Sequence, residues 1–362
     1  MKKKWLTSIA VTTMMGALIT GCGQQSTASK AESKKGSIEN QLVIAGNGAE
    51  FENVMRDDIF KQFQEKYPEV KISYVSGVSG DIVAKVRAQK ASPQIDFAIV
   101  DSNSQEIGRK EGLWQKVDKK DVPNLEKAQF GSKAKDNSGV PVFYSTMGIS
   151  YNKELVHSKG LPVPKSWNDL NNPKVKENLV LSDISNNFGR TTLIMLAYAN
   201  GGSEKNIDPG FEKYAGIASG LPTFLNNTAQ IQQALQQKRA AYTVWNSNRS
   251  LTLAASGTPM EFVIPKEGTI LSTQFANLVK GAPHTKAAKK FIDFLLTDEV
   301  QKTLGEKLYL NPVTDVKLSA EASKKIDFDK SKAVNVDTEL ISNEYAKWVE
   351  RFNKEVATKV NK

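Results

Sequence analysis

The stretch that decides the fold begins at Gln41-Leu42-Val43-Ile44-Ala45-Gly46-Asn47-Gly48 and runs to Val100. Residues 41–45 are a short β-rich run closed by Gly46-Asn47-Gly48. Phe51, Met55, Ile59, Phe63 and Tyr67 then recur every four residues, which places them on one face of a helix, and Pro68 stops it. Val70 to Tyr74 alternates as a strand does. Ser76-Gly77-Val78-Ser79-Gly80 turns the chain into a second helix, for which Ser79 reads as the N-cap and Ile82, Val83 and Val86 as the apolar face. Ile95 to Val100 is a third strand. The β-α-β-α-β order predicts a parallel sheet with helices on both faces, an α/β architecture.

Working outward, residues 141–151 read as extended and 165–170 as a helix start. Residues 179–181 follow as a strand, 191–198 and 226–237 as helices, and 241–244 and 260–264 as strands. No internal repeat is present. The body of roughly 320 residues exceeds what one hydrophobic core usually serves, so two lobes are expected.

Upstream, Lys2-Lys3-Lys4 precede an uncharged apolar run from Trp5 to Ile19, and Leu18-Ile19-Thr20-Gly21 lead to Cys22, the one cysteine of the chain. A cationic start, an apolar segment and small residues before a cleavage point make a secretory signal, and the run is shorter than the ~20 residues that span a bilayer. A lone cysteine has no partner for an internal disulfide. The string ending at Cys22 resembles the lipobox of bacterial lipoproteins, which implies an acylated thiol and Cys22 as the mature N-terminus, held by acyl chains acting together. Residues 23–40 are polar, rich in Ser and Lys, and read as a flexible tether.

The formal charge is +10, and +7 once the three signal lysines are gone. The lysines are scattered rather than interleaved with aromatics, which excludes nucleic acid as a partner; anionic lipid or wall polymer suits an extracellular basic protein better. Catalysis finds little support. There are two histidines, His157 and His284, with no phosphate-binding GxxxxGK[ST], no GxSxG elbow and no clustered metal ligands,. The reading is of a binding protein without cofactor or metal.

Ligands of open α/β sheets sit beyond the carboxyl ends of the strands, where helix N-termini favour anions. Three small polar turns qualify, at residues 46–49, 76–80 and 185–191. A second cluster, Tyr242-Thr243-Val244-Trp245-Asn246-Ser247-Asn248-Arg249, offers Trp245 as a pocket floor and Arg249 as a charge,.

Several runs resemble the C-terminal signature of the bacterial extracellular solute-binding proteins, the receptors of ABC importers. They are Lys266-Glu267-Gly268-Thr269, residues 276–284 (ANLVKGAPH), residues 287–296 (AAKKFIDFLL), Glu299-Val300-Gln301 and Pro312-Val313. Residues 144–153 (YSTMGISYNK) resemble the segment where such chains first cross between lobes. The subgroup that the resemblance suggests is the one handling ferric iron, polyamines, thiamine, phosphonates and sugar phosphates. The resemblance implies a two-lobed type II periplasmic-binding fold with a ligand cleft between the lobes. It divides the chain into a signal (1–21), a tether (22–40), one lobe from 41–143 plus 269–313, another from 148–264, and a helical segment (314–362) packing back on a lobe. It carries over as cleft positions Asn47, Ser76, Ser79, Asp101, Tyr144, Ser145, Ser185, Asn187, Arg190, Trp245, Asn246 and Arg249. His284 falls in a turn that is structural in the family.

Departures from the family narrow the ligand. Iron binders carry adjacent tyrosines where this chain has Val244-Trp245-Asn246, and polyamine binders need carboxylates where it has Asn246, Asn248 and Arg249, although Asp101 and Asp183 remain. Arg190 and Arg249 favour a phosphonate, resembling 2-aminoethylphosphonate, or an organophosphate. A polyamine, iron chelate or thiamine is the alternative within the fold, and a surface lipoprotein without a transport role the alternative outside it. The expected partners are a small solute, an ABC permease with its ATPase and the membrane, reached by a lipid-anchored monomer on the outer face. Replacing Cys22 with Ala is expected to move the protein from the membrane fraction to the medium in the native host; retention as complete as wild type would refute the anchor.

Overall fold

The computed structural model describes residues 38–131 and 133–361; the signal segment and Cys22 lie outside the described residues. Among the described residues ten strands are formed: β1 (Gln41–Gly46), β2 (Lys71–Ser76), β3 (Phe97–Asp101), β4 (Val140–Asn152), β5 (Leu179–Val180), β6 (Tyr242–Asn246), β7 (Met260–Val263), β8 (Thr269–Leu278), β9 (Asn311–Pro312) and β10 (Ala333–Val334). They join in the order β2-β1-β3-β8-β4-β6-β5, with β10 added to β8 and with β7 and β9 added to β4. β1 pairs in parallel with β2 and β3, but β8 enters antiparallel beside β3 and again beside β4. The wholly parallel sheet read from the first hundred residues is therefore a mixed one, because the strand that extends it returns from the far end of the chain.

Alternation along β1 and β3 sorts their side chains to two faces. Leu42, Ile44, Phe97 and Ile99 face a core shared with Phe51, Ile59, Phe63 and Phe291. Ala45, Ala98 and Val100 face another, built with Ile82, Val83, Val86 and Trp114. A third core gathers Met147, Ile149, Trp167, Leu193, Tyr214, Tyr242 and Trp245, none of them from the first hundred residues.

The helix after β1 is built of three consecutive segments, Glu50–Val54, a π turn at Met55–Ile59, and Phe60–Lys66. Apolar residues spaced strictly by four drift by about 40° per step on a 3.6-residue helix. The wider π turn takes up part of that drift and keeps Phe51, Met55, Ile59 and Phe63 on the core.

Two local readings are corrected. Helix Ser79–Ala88 has Val78 as its N-cap with no side-chain cap; the Ser79 hydroxyl instead accepts the Asp101 N–H at 3.1 Å. The last residues of the expected tether belong to the body. The Glu39 carboxylate accepts the Ala287 N–H at 2.8 Å, filling the start of helix Thr285–Leu295, where His284 provides no side-chain cap, and the Asn40 carbonyl accepts the Lys71 N–H. A first-turn carboxylate is favoured there by the helix dipole.

β4 and β8 connect the cores. The first half of β4, Val140 to Thr146, pairs with β8, whereas Met147 to Asn152 pairs with β6 and β7. Thr269 pins the changeover: its buried hydroxyl accepts from Met147 N–H at 2.8 Å and donates to the Met147 carbonyl at 2.7 Å. At the C-terminus, helix Thr338–Glu355 buries Ile341, Trp348 and Phe352 in the third core, with Phe352 edge-on to Tyr214 at 5.2 Å. Cutting Phe352 to Ala removes a ring from a closed cavity, and a loss of about 3–5 kcal/mol is expected in urea unfolding. A loss below 1 kcal/mol would mean that the helix is a peripheral appendage.

Candidate functional site

Two chambers lie along the crossing strands, and Ser272 of β8 lines both. The first encloses about 250 Å³. Its walls come from the turn after β1 (Asn47, Gly48, Glu50), from β4 (Ser145), from β8 (Ser272, Gln274), from helix Thr228–Gln236 (Gln232, Gln236), and from the end of β6 with helix Ser247–Ala255 (Trp245, Asn246, Asn248, Arg249).

The turn after β1 is held from below. The Tyr74 hydroxyl donates to the Asn47 carbonyl at 2.6 Å, and burial raises the phenol's pKa, so it stays a donor. Gly46 leaves room for that ring, since a Cβ there would stand 2.4 Å from the Tyr74 oxygen. Ala49 then takes φ 57° and ψ −137°, a conformation glycine ordinarily occupies,, and Glu50 follows at the chamber wall.

The opposite wall is rich in polar atoms without partners. Trp245 is 1% exposed, and its indole N–H has no acceptor. Asn246 Oδ1, Ser247 Oγ and Asn248 Oδ1 are likewise unpaired, although Asn246 Nδ2 donates to Ser145 Oγ at 3.2 Å. Asn246 gives helix Ser247–Ala255 no side-chain cap. Arg249, in its first turn, has no hydrogen bond or ion pair among the described residues. Burial pushes its guanidinium pKa down, against the charge of Glu50, which pushes it up. Each unpaired buried polar group costs ~1–3 kcal/mol, more when charged. Such groups are rare in folded proteins; Trp245, Asn246 and Asn248 bring theirs to residues that line this cavity, with Ser247 beside them in the chain.

The second chamber, about 520 Å³, is walled by Asp101, Ser102 and Asn103 at the start of helix Ser102–Lys110, by Asn187 and Arg190 of helix Asn187–Ala199, by β8, and by residues 333–339 and Ile341. Asp101 Oδ1 caps its helix by accepting the Ser104 N–H at 2.9 Å. Arg190, 5% exposed, donates to the Ile184 carbonyl at 3.4 Å and to Asn187 Oδ1 at 3.3 Å, and lies over the Tyr345 ring at 5.3 Å. Among the described residues no carboxylate pairs with it. Asn187 Nδ2 reaches Ser272 Oγ at 3.4 Å.

The sequence-derived set thus divides. Asn47, Ser145, Trp245, Asn246 and Arg249 meet in the first chamber, and Asp101, Asn187 and Arg190 in the second. Four others line neither. Ser76 is exposed at the end of β2, Ser79 is spent on Asp101, and Tyr144 is buried in the first core. Ser185 turns out to Asp183, donating to its Oδ1 from both N–H and hydroxyl. His284 is bound to the buried Asp96 carboxylate at 3.0 Å. Sequence reasoning missed Glu50, Ser272 and Gln274. Glu50 was legible, directly after a marked turn; the other two depend on pairing across more than a hundred residues. Among the described residues no three His, Cys, Asp or Glu side chains are grouped to hold a metal, and no helix is long and apolar enough to cross a membrane.

A desolvated guanidinium without a hydrogen-bonded ion pair is a liability to the empty fold. Arg249→Met is therefore expected to leave the melting temperature of the ligand-free protein unchanged or to raise it; a fall of more than about 4 °C, near 3 kcal/mol for a chain this size, would show that Arg249 is structural.

A family model described as bacterial extracellular solute-binding protein matches residues 58–330. A spermidine/putrescine-binding periplasmic protein of Salmonella typhimurium is 26% identical over 244 residues, covering 66% of this chain and 68% of its own. A periplasmic protein of the same organism, provisionally named for 2-aminoethylphosphonate binding, is 26% identical over 260 residues, covering 70% and 72%. The periplasmic binding protein AfuA from Actinobacillus pleuropneumoniae, solved with fructose-6-phosphate bound, superposes with a TM-score of 0.74 at 24% identity over 87% of this chain and 98% of that one.

Proposed function

Because the chain belongs to the bacterial extracellular solute-binding proteins, and so serves as the solute receptor of an ABC importer, we propose that its solute is a small anion or zwitterion, a phosphonate or organophosphate, seated in the first chamber. Arg249 carries this reading. It is a guanidinium with five N–H donors and no hydrogen-bonded ion pair, feeling only the charge of Glu50 across the chamber, beside the free indole N–H of Trp245 and a helix start without a side-chain cap. A phosphonate oxygen set satisfies all three at once, and charge-assisted hydrogen bonds of this kind contribute ~1.5–3 kcal/mol each. Glu50 on the opposite wall, equally without an ion pair, suits an ammonium on the same molecule.

In this reading the lobes built from 41–143 with 269–313 and from 148–264 hinge where β4 and β8 change partners, and close on the solute. The lipid on Cys22 keeps the receptor beside its permease. No catalytic step is required: the relatives are binding proteins of transporters. One observation favours a polyamine instead. Glu50 and Asp101 line the chambers without a hydrogen-bonded ion pair, Glu50 facing Arg249 only across the space, and ammonium groups would pair with them.

Thermal-shift screening of the body against phosphonates, phosphosugars, polyamines, thiamine and ferric citrate identifies the class, and calorimetry on variants assigns the seat. Arg249→Ala is expected to weaken the best anionic hit by tenfold or more, about 1.4 kcal/mol, while Lys119→Ala changes it little. If Arg249→Ala binds as wild type and Glu50→Gln or Asp101→Asn abolishes binding, the solute is cationic.

A further inference from the structure

Helix Thr338–Glu355 is fastened on its two sides by different chemistry. On one side Ile341, Trp348 and Phe352 are buried in the third core, with Val334, Val336, Leu340 and Val349 packed against it. Asp337 N–H donates to the Glu204 carboxylate at 3.0 Å, the Tyr345 hydroxyl donates to the Ser185 carbonyl at 3.4 Å, and Arg351 pairs with Asp208. These three partners fall within residues 148–264. On the other side the helix meets helix Ser102–Lys110 and its neighbours through polar and charged groups. Lys110 Nζ donates to the Glu339 carbonyl at 3.2 Å and to Asn343 Oδ1. Lys135 pairs with the Glu339 carboxylate, and Arg109 Nη2 stands 3.9 Å from it. Among the described residues, no side chain of this helix enters the first or second core.

The receiving surface is built in advance. Glu106, 3% exposed, accepts two hydrogen bonds of 2.7 Å from Arg109 and stands 3.8 Å from Lys110, which aims both cations. Arg109 also donates to Asp136 at 2.9 Å. Arg109, Lys110 and Lys135 thus outnumber Glu106 and Asp136, and Glu339 answers the excess. Its hydrogen bond with Lys135 lowers the carboxyl pKa and raises that of the ammonium, so both stay charged at neutral pH.

These contacts lie beside the chambers. Residues 333–339 wall the second, and the first is lined from one side by Glu50, Leu308 and Leu310 and from the other by Trp245, Arg249 and Leu253. If the body hinges where β4 and β8 change partners, helix Ser102–Lys110, which follows β3 and so travels with β8, parts from a helix rooted in the third core. Every contact to Glu339 must then break.

We propose that Glu339 closes an ionic latch, which fastens the two lobes in the arrangement where both line the chambers and so slows the solute's escape. This rests on the hinged receptor and solute seat proposed above and adds their regulation. Exposed ion pairs are individually weak and screened by salt. That suits a latch that opens at each delivery, since it has only to tilt a balance between two arrangements.

Spin labels at Lys61→Cys and Lys174→Cys, exposed positions of the two lobes, read the latch without solute in a Cys22→Ala background that has no other thiol. At low salt a single narrow distance distribution is expected. Glu339→Gln, or about 0.5 M NaCl on the charged latch, is expected to enlarge a second population roughly fivefold. Glu350→Gln, exposed on the same helix, is expected to leave the distribution unchanged. A distribution that ignores both charge removal and salt overturns the latch whatever the solute. With 2-aminoethylphosphonate as probe, Glu339→Gln is expected to release it about threefold faster or more, and equal release rates overturn the control of escape. If the distances respond as expected but the probe does not bind wild type, the seat proposed for it at Arg249 falls and the latch stands.

Discussion

Every one of the thirteen residues of β4 is buried, because its two halves serve different sheets and meet apolar neighbours on each. That requirement sets the rest of the molecule. A strand that leaves one core and enters another must change partners in mid-course, and it does so between Thr146 and Met147, where the Thr269 hydroxyl takes up both polar groups of Met147. β8 makes the return journey beside it, passing from β10 through β4 to β3. The loops at the strand ends consequently face one another across the crossing pair, which is how residues 47–50 come to stand opposite 245–249.

The chambers there are kept in a state the fold does not relieve. Trp245 N–H, Asn246 Oδ1, Asn248 Oδ1 and Asn103 Oδ1 are buried or half-buried without hydrogen-bond partners, and the Arg249 guanidinium has only the charge of Glu50 across the chamber. Trp114 and Trp167, for comparison, donate their indole N–H groups to the Gln105 and Gly268 carbonyls. Strain at Ala49 adds to the same end of the molecule. In the proposed reading, stability is given up locally where a solute can restore it, the usual arrangement in a binding site.

Much of this was legible in the sequence. Periodicity at Phe51, Met55, Ile59 and Phe63 and the Gly-Asn-Gly turn are local signals, and they placed β1, its helix and Asn47. The run from Trp245 to Arg249 announced a pocket because an apolar strand ends there in polar groups. What escaped reading depended on long-range pairing. Nothing near Gln274 or Ser272 says that β8 will lie beside β4. Ser79 was read as the helix cap, but its hydroxyl accepts the N–H of Asp101, 22 residues on. Likewise, Glu39 looked like tether until helix Thr285–Leu295 supplied bare N–H groups for it.

The central claim is that the unpaired groups around Trp245 are the solute seat, and the indole N–H is its most direct reporter. The chain beyond Cys22 has four tryptophans, Trp114, Trp167, Trp245 and Trp348, so the indole region of a ¹⁵N–¹H correlation spectrum is simple to assign by substitution. On titration with the solute that the thermal-shift screen selects, the Trp245 indole proton is expected to move downfield and to exchange slowly with water as it gains an acceptor. Saturation of the protein with Trp245 unmoved, while another part of the spectrum shifts, would contradict the account.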